Sequence, residues 1–363
     1  MTLLFRLDAG REVGYGHLSR CLALARVWAG RGGRSHFLLG TGDPAALDLI
    51  REAGCTSACL PEPRAEAAFI PDRPCRAVVV DLNHAHTLAD LDDFVERMDF
   101  LHRRIAPVVL LDSLGEQGIA HRRVVPAALV VRPYPGVEPL APGAQSLALT
   151  GPTYAVFAPE LLAAVVRPRF IRDRARRVLL TFGGSDPSAA TLLALAALHH
   201  LDDPDLEVEV TLATGFAPDL SRAITSAAAT LPRRVTLLRG VRQLAGPMNR
   251  CDLALAATGL TKYELALTGT PSIQFSINRS HHAVNRSFAA AGAAWNLGVQ
   301  ADLSPESLAA ALAALLADAE RRRDLSRRGQ ELVDGRGAER ILDGIMKLSS
   351  VAGGGRLPPS ESG

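Results

Sequence analysis

One short stretch of the chain, Gly14–Arg20 with the sequence GYGHLSR, combines glycines with a histidine and an arginine. An apolar, strand-like run precedes it and an apolar, helix-like segment follows it, so these residues should form a loop and a first helical turn. Glycines let the backbone approach a ligand closely, and a helix start presents free N–H groups and the positive end of its dipole. The dipole disfavours the protonated form of His17, which disposes the neutral ring to act as a general base. We predict catalysis at His17, with Gly14, Gly16 and Arg20 contacting substrate.

Two plainer interpretations compete with this one. A histidine at a helix start can be a cap or a surface residue, and a lone Gly-x-Gly is a weak motif. The sequence argues against a dinucleotide site, because the third glycine of that fingerprint is absent and Arg20 stands where a small residue would permit tight helix packing. NAD is therefore not expected.

The composition is that of an ordinary globular protein. Its 363 residues exceed what one hydrophobic core usually supports, and 48% are hydrophobic and 21% charged. A net charge of +2 gives no reason to expect nucleic acid as a partner. Arg6 and Asp8 interrupt the first apolar run, and no uncharged run reaches membrane-spanning length, so we expect a cytoplasmic protein without stable membrane insertion. The cysteines lack metal-binding spacing and should be reduced thiols.

Strand-like runs alternate with helix-like patterns along almost the whole chain, which predicts the α/β class with parallel sheets and crossover helices. Prolines and the basic run Arg167–Arg177 interrupt this pattern and predict a linker. We predict a first domain at residues 1–155, a linker at 156–176, a second domain at 177–350 and a disordered tail at 351–363. The predicted strands are Leu3–Leu7, His36–Leu39, Ala77–Asp81, Val108–Asp112 and Ala128–Val131, then Arg177–Phe182, Glu207–Leu212, Val235–Leu238, Leu253–Ala256 and Ser272–Ser276.

Two predicted strands of the first domain end in aspartate, at Asp81 and Asp112. Ligands of open parallel sheets bind outside the carboxyl ends of the strands, so either carboxylate could orient His17 or contact substrate. Each could equally cap the helix or turn that follows. Asp81, His84 and His86 also form a loose candidate metal cluster, but no helix fixes their spacing. We therefore expect no metal and no cofactor.

Three loops in the second half of the chain follow predicted strands and open helices. The first contains Gly183, Gly184 and Ser185, whose backbone amides could bind a phosphate. Asp186 would repel that phosphate unless its carboxylate points away or caps the helix. Each of the three loops could alternatively be a turn with a helix cap, but three of them at successive strand ends would face one crevice.

The second loop contains Gly259, Leu260 and Thr261, followed by Lys262 and Glu264. The glycine and the hydroxyl suit a diphosphate, and the lysine suits its charge. The carboxylate of Glu264, one turn into the helix, could accept hydrogen bonds from a ribose diol. The plainer alternative for Lys262 is a solvated surface lysine.

The third loop carries His281, His282 and Asn285 at the start of another helix. Adjacent residues of a helix do not share a face, so at most one of the two histidines should line the site. Asn285 lies one turn further on and offers an amide.

Taken together, Gly14–Arg20, Phe182–Pro187 and Gly259–Glu264 resemble the bacterial UDP-sugar hydrolases of pseudaminic acid biosynthesis and the related spore-coat polysaccharide proteins. Both groups are similar in fold to the N-acetylglucosaminyltransferase that makes lipid II. Gly151–Ala155 fits as well, so the resemblance extends to about Leu348. It implies the GT-B fold, in which two Rossmann-like domains face a cleft, the second domain holds most of the nucleotide and a C-terminal helix packs back on the first.

The resemblance also implies roles for particular residues. His17 would activate the attacking water, Glu264 would hold the ribose, and His281 and His282 would lie near the donor sugar. Two segments depart from the hydrolase pattern. Residues 258–262 replace its usual Gly-Gly-Ser-Thr loop, and the histidine pair replaces an Asn-Gln pair. These departures leave the identity of the nucleotide sugar open.

We expect a hydrolase that cleaves the anomeric C–O bond of a UDP-linked sugar with inversion and releases UDP. The alternative is an inverting GT-B glycosyltransferase on the same scaffold, in which His17, Asp81 or Asp112 deprotonates an acceptor hydroxyl. A non-catalytic binding subunit ranks last. No compact apolar and basic patch for a lipid-linked acceptor is evident in the first domain, which favours the hydrolase. The base, the sugar, any acceptor and the oligomeric state stay open.

Overall fold

The computed structural model describes residues 1–10, 13–40, 42–62, 64–69, 71–82, 89–112, 118–136, 139–241 and 243–348, with backbone only at 280, 281, 283 and 284. Two sequence predictions lie outside the described residues, namely the roles of His84 and His86 and the disordered tail at 351–363. The described residues form two parallel sheets of seven and six strands. The predicted α/β class is therefore confirmed.

The first sheet has the strand order β3-β2-β1-β4-β5-β6-β7, with every pair parallel. Its strands are β1 Thr2–Leu7, β2 Arg34–Leu39, β3 Thr56–Cys59, β4 Cys75–Asp81, β5 Val108–Leu111, β6 Leu129–Arg132 and β7 Leu147–Thr150. Its connecting helices are α1 Gly16–Gly30, α2 Pro44–Glu52, α3 Leu91–Arg104 and α4 Ile119–Arg122. The order reverses between β1 and β4, and a crevice forms at such a switch point, outside the carboxyl ends of the strands. Leu7 at the end of β1 pairs with Asp81 at the end of β4, so both lie at this crevice.

The central strands of the first sheet are mostly apolar because helices cover both of its faces. Alternate residues of β4 show this: Val79 joins one buried cluster with Phe5, and Val78 and Val80 join another on the opposite face. The rings of Phe5 and Phe37 stack with 4.8 Å between their centres. This double burial holds the ends of β1 and β4 in place.

The second sheet repeats the arrangement with the order β10-β9-β8-β11-β12-β13. Its strands are β8 Arg177–Thr181, β9 Glu207–Leu212, β10 Val235–Arg239, β11 Leu253–Ala257, β12 Ser272–Ser276 and β13 Trp295–Val299. The helices from the linker onward are α5 Pro159–Ala163, α6 Ala190–Leu198, α7 Pro218–Ala229, α8 Ala245–Arg250, α9 Thr261–Thr268, α10 Arg279–Ala290, α11 Pro305–Ala317 and α12 Ala319–Leu332. The order reverses between β8 and β11, so the loops that follow these two strands border the switch point.

The last described helix, α13 Gly337–Lys347, packs against the first sheet rather than the second. Its apolar residues Ile341, Leu342 and Ile345 join the core beneath β6. Gly337 lies so close to the linker that a Cβ there would be 2.1 Å from the Ala155 carbonyl oxygen. The chain thus returns to the first domain, as the family resemblance implies.

Three edge strands, β3, β7 and β13, were not predicted. Edge strands are covered on fewer sides, and none of the three has a long apolar run. Leu147 of β7 is 61% exposed, for example. No helix among the described residues is both long and apolar enough to cross a membrane.

Candidate functional site

A cleft of about 510 Å³ lies between the carboxyl edges of the two sheets. The loop after β1 and the start of α1 form one wall, and the loops after β8, β9 and β11 form the other. The predicted site residues that line it are Gly14, Gly16, Arg20, Gly183, Gly184, Ser185, Gly259, Leu260, Thr261 and Glu264. His17 is not among the described residues that line the cleft, but it lies on the same helical turn as Gly16 and Arg20, which do, and it contacts Asp81 at the end of β4.

His17 and Arg20 both bind the buried carboxylate of Asp81. The Nδ1 atom of His17 is 2.8 Å from Asp81 Oδ1. Arg20 donates from Nε to Oδ2 at 2.9 Å and from Nη2 to Oδ1 at 2.7 Å. Residues three apart on a helix share a face, which explains how both side chains reach one carboxylate. The structure therefore makes Asp81 the residue that orients His17.

The electrostatics of this cluster decide which nitrogen of His17 can accept a proton. Burial raises the pKa of Asp81, but the Arg20 charge and then His17 lower it far more, to well below the usual range. An ionised carboxylate only accepts hydrogen bonds, so Nδ1 of His17 must carry the hydrogen. The lone pair of the neutral ring then lies on Nε2, which has no hydrogen-bond partner among the described residues. This arrangement is that of a general base.

Asp112 caps the helix that follows it, which was the alternative role that we considered for strand-end aspartates. Its carboxylate accepts hydrogen bonds from the backbone amides of Ile119 at 3.2 Å and Ala120 at 2.9 Å, at the start of α4. It therefore caps a helix, and in the structure it does not contact His17.

The loop after β8 presents its glycines to the cleft and turns its acidic residue away. Gly183 adopts a positive φ of 84°, in the region that favours glycine. The carboxylate of Asp186 accepts hydrogen bonds from the amides of Ala190 at 2.8 Å and Thr191 at 2.9 Å. The helix begins at Ala190, so these two amides belong to its first turn. Because Asp186 is occupied in this way, its carboxylate does not oppose an anion bound beside Gly183, Gly184 and Ser185, which line the cleft.

The start of α9 separates its two charged residues. Glu264 is half-buried and lines the cleft, and burial raises its pKa to about 7. Lys262 is 5% exposed, does not line the cleft and donates to Oδ1 of Asn285. Its Nζ lies 4.9 Å from the ring centre of Tyr263 and 5.4 Å from that of Phe288, and burial lowers its pKa to about 7.

Helical geometry explains this separation. Residues two apart point to nearly opposite sides of a helix, whereas residues three apart, such as Thr261 and Glu264, share a side. The described residues therefore show no cleft contact that would support the expectation that Lys262 binds the diphosphate. Asn285, 3% exposed, is buried with the lysine and does not line the cleft either.

His282 is not among the described residues that line the cleft. It is half-buried, and its Nδ1 is buried without a hydrogen-bond partner among the described residues. The described residues thus give His282 no contact that would support a role in sugar binding. The side chain of His281 lies outside the described residues.

The starts of α1 and α9 face each other across the cleft. A Cβ on Gly16 would lie 3.6 Å from Cδ1 of Leu260, and neither helix has a side-chain cap. Uncapped helix starts direct N–H groups and positive dipole ends at the space between them. That space suits an anion such as a diphosphate.

Several cleft residues were missed by sequence reasoning. The linker contributes an apolar wall at Ala155–Ala158, and the loop after β10 adds Gln243 and Leu244. None of these segments carries a motif, and only the approach of the two sheets brings them together. Tyr263 and Tyr15 also line the cleft, and both neighbour residues that we did select. Among the described residues no three side chains are arranged to hold a metal ion.

No protein-family model matches the chain. The chain is 28% identical over 192 residues to the spore coat polysaccharide biosynthesis protein SpsG of Bacillus subtilis. The matched segment covers 53% of this chain and 56% of SpsG, so the similarity spans little more than half of the relative's length.

Solved structures resemble the chain over nearly its whole length. MurG of Acinetobacter baumannii superposes with a TM-score of 0.67 at 16% identity, covering 96% of this chain and 100% of that one. The calicheamicin glycosyltransferase CalG4 gives a TM-score of 0.63 at 17% identity, covering 95% and 97%. The UDP-GlcNAc 2-epimerase of Neisseria meningitidis, bound to UDP-GlcNAc, gives 0.63 at 12% identity, covering 96% and 100%. The chain therefore has the GT-B fold, with two parallel α/β domains facing a cleft.

Proposed function

We propose that the chain is an inverting glycosyltransferase that uses a UDP-linked sugar as donor. The observation that carries this proposal is the His17–Asp81 pair, with a 2.8 Å hydrogen bond, on the helical turn beside a cleft whose opposite wall is built from glycine-containing loops. The similarity to a glycosyltransferase supports the class of reaction, and the similarity to an epimerase bound to UDP-GlcNAc supports the choice of donor. The similarity to SpsG supports a place in polysaccharide biosynthesis.

In the proposed reaction His17 removes a proton from the acceptor. Asp81 holds the Nδ1 hydrogen, so the lone pair of Nε2 accepts the hydroxyl proton as the acceptor oxygen attacks the anomeric carbon. The bond from that carbon to the diphosphate oxygen breaks at the same time, and UDP leaves with the bonding electrons. The imidazolium formed at His17 is stabilised by the ionised Asp81. Attack from the face opposite the leaving group inverts the anomeric centre.

Backbone groups would stabilise the departing diphosphate. The amides of Gly183, Gly184 and Ser185 and the uncapped starts of α1 and α9 all face the cleft. Fixed amides and helix dipoles aimed at developing charge need no reorganisation during the reaction. The two charged side chains among the described lining residues are Arg20 and Glu264. The bound diphosphate therefore depends mainly on backbone groups for neutralisation.

Glu264 is suited to bind the ribose. Its carboxylate makes no side-chain hydrogen bond within the described part of the chain and opens to the cleft on the same side of α9 as Thr261. Two hydroxyls of a ribose can each donate to a carboxylate, which favours its ionised form. A pKa of about 7 without ligand means that nucleotide binding and deprotonation of Glu264 promote each other.

The sequence alone favoured a hydrolase, which differs only in using water as acceptor. The matched glycosyltransferase supports the transferase instead. One experiment distinguishes the hydrolase from the transferase. The protein is incubated with a panel of UDP-sugars, with and without a panel of sugar and polyprenyl-linked acceptors, and the products are identified by mass spectrometry. UDP release that requires an acceptor supports a transferase. Free sugar released at the same rate without acceptor identifies a hydrolase, and no binding of any UDP-sugar contradicts both.

A further inference from the structure

Two buried hydroxyl groups lie side by side at the carboxyl edge of the second sheet, and the proposed mechanism uses neither of them. Thr258 follows β11 and Ser276 ends β12, in the register in which these parallel strands pair. Oγ1 of Thr258 is 3.0 Å from Oγ of Ser276, so the two hydroxyls share a hydrogen bond. The pair lies next to Gly259 and the uncapped start of α9, which faces the space proposed for the diphosphate.

Thr258 and Ser276 differ in their access to the cleft. Thr258 is 8% exposed and lines the cleft. Ser276 is fully buried and is not among the described residues of the lining. A ligand in the cleft can therefore meet the hydroxyl of Thr258 but not that of Ser276.

The number of hydrogens in the pair decides which hydroxyl is the donor. Each hydroxyl has one hydrogen to donate and can accept two hydrogen bonds. One of the two hydrogens lies between the oxygens, and neither hydroxyl has another hydrogen-bond partner among the described residues. If Thr258 donated to Ser276, the hydrogen of Ser276 would be buried without an acceptor there, which is unfavourable. If Ser276 donates to Thr258, the remaining hydrogen belongs to Thr258, beside the cleft.

We propose that Thr258 is a binding residue for the diphosphate: Ser276 donates to Oγ1 of Thr258, and the Thr258 hydroxyl donates its own hydrogen to a diphosphate oxygen. The inference rests on the proposed function, because it takes a UDP-linked sugar as the ligand. It adds a side-chain donor to the backbone groups that face the diphosphate. It also makes Ser276 a positioning residue that acts only through Thr258.

A phosphate oxygen is the ligand group that this donor fits best. An ionised phosphate oxygen only accepts hydrogen bonds, whereas a sugar hydroxyl can also donate. The start of α9 beside Thr258 favours negative charge. Hydrogen bonds to a charged acceptor are stronger than those between neutral groups, and a hydroxyl that accepts one hydrogen bond is polarised to donate the next. The Ser276–Thr258 chain therefore ends in a donor suited to an anion.

The plainer interpretation is that the hydroxyl pair only ties β11 to β12. Thr258→Val tests the difference, because valine keeps the shape of the side chain and removes the hydroxyl, and Thr258→Ser keeps the hydroxyl. The matched control is Thr268→Val at the other end of α9. The Thr268 hydroxyl is also buried, lies 2.8 Å from that of Thr270 and is outside the described cleft lining.

The measurement compares the dissociation constants for UDP and for uridine, which has the same base and ribose but no phosphate. Calorimetry measures UDP binding, and NMR titration of the full chain measures the weaker binding of uridine. In Thr258→Val the affinity for UDP should fall by about ten- to hundredfold, the value of a hydrogen bond to a charged group, and that for uridine by less than about threefold. Thr258→Ser and Thr268→Val should bind both ligands within about threefold of the wild type.

Ser276→Ala tests the direction of the hydrogen bond within the pair. Alone, it should weaken UDP binding only several-fold, because Thr258 keeps its hydrogen but loses the group that polarises and orients its hydroxyl. Added to Thr258→Val, it should weaken UDP binding no further, because Ser276 acts through Thr258. If the effects of the two substitutions on UDP affinity add in full, the assigned direction is wrong.

Two further results would overturn the inference, and a third contradicts its premise. Wild-type affinity for UDP in Thr258→Val means that the hydroxyl does not bind the diphosphate. Equal losses of affinity for UDP and uridine mean that Thr258 acts through the packing of the loop. A wild-type protein that binds neither UDP nor uridine contradicts the proposed function itself, and the wild-type titrations distinguish this result from the other two.

Discussion

The starts of α1 and α9 have a similar construction, but their charged side chains lie in different arrangements. Each begins after a glycine-containing loop at the carboxyl edge of its sheet, and neither has a side-chain cap. On α1, His17 and Arg20 lie three apart and converge on Asp81. On α9, Lys262 and Glu264 lie two apart and diverge, one into the interior and the other into the cleft. The position within the first turn therefore decides whether charged residues act together.

The difference separates two kinds of site. On α1 the charged groups are paired before any ligand arrives, which keeps His17 in one orientation. On α9 the carboxylate of Glu264 has a raised pKa and makes no side-chain hydrogen bond to the described residues. The first arrangement suits chemistry and the second suits binding. Substitutions at the two helix starts should therefore affect different measured quantities.

The largest effect is expected at His17. His17→Ala removes the general base, and turnover should fall by roughly two to four orders of magnitude with UDP affinity nearly unchanged. The readout is UDP release with the donor and acceptor found in the panel, together with calorimetry for UDP. His199→Ala, an exposed histidine of the second domain, is the control. Turnover within a few-fold of wild type would remove His17 from the mechanism.

Asp81→Asn tests the pairing of His17 and Arg20 with the carboxylate of Asp81. The amide cannot stabilise a charged imidazole and can bind the wrong ring tautomer, so turnover should drop by about two to three orders of magnitude. The buried Arg20 loses its charged partner, so the melting temperature should fall as well. Asp112→Asn is the matched control, because it also alters a buried strand-end carboxylate but one that caps α4. Equal losses of turnover in the two variants would contradict the orienting role of Asp81.

Glu264→Ala tests the binding role of α9. Loss of a charged partner for the ribose should weaken UDP binding by roughly ten- to hundredfold and remove most discrimination against 2′-deoxy-UDP. Because the ribose is remote from the breaking bond, the effect should appear in KM rather than in kcat. Calorimetry with the two nucleotides measures it. A variant that binds UDP as wild type does would make Glu264 an ordinary first-turn residue.

The smallest effects concern the pH dependence of the free energy of unfolding. Glu264 and Lys262, on opposite sides of α9, should contribute slopes of opposite sign. The Glu264 pKa is raised from 4.5 to about 7, so the folded state holds the extra proton and the free energy of unfolding should decrease with pH across that range. The Lys262 pKa is lowered from 10.5 to about 7, so the unfolded state holds the extra proton and stability should increase with pH above about 7. Each slope can reach about 1.4 kcal/mol per pH unit.

Urea denaturation across pH 4.5 to 10.5 measures both slopes. Glu264→Gln should flatten the acidic limb, and Lys262→Met should flatten the basic limb. Lys262→Met should also leave UDP affinity within about twofold, because the lysine lies outside the cleft lining. If Lys262→Met weakened UDP binding as much as Glu264→Ala does, the assignment of nucleotide binding to Glu264 and not to Lys262 would be contradicted.

Much of the fold could be predicted from the sequence because buried parallel strands contain nearly continuous apolar runs. The central strands β1, β4, β8 and β11 each contain such a run, and each was predicted. The edge strands β3, β7 and β13 were missed because exposed strands need no apolar run.

The candidate site was predictable only in part. Glycine loops after central strands identified the cleft edges, because strand ends of a parallel sheet must meet at one side. The same signal did not separate Asp81 from Asp112, since both are strand-end aspartates and only the folded positions of α1 and α4 assign their partners. The linker wall at Ala155–Ala158 carried no motif, so nothing in its residue types indicated a cleft.

By itself, the sequence determined the α/β class, the central strands and the presence of His17 at the start of the first helix, because hydrophobic patterns and glycine loops are local properties. Only the tertiary structure decided that Asp81 binds His17 and that Lys262 turns inward. Each of these depends on the rotation of a helix and on the approach of a second element, and neither follows from spacing along the chain.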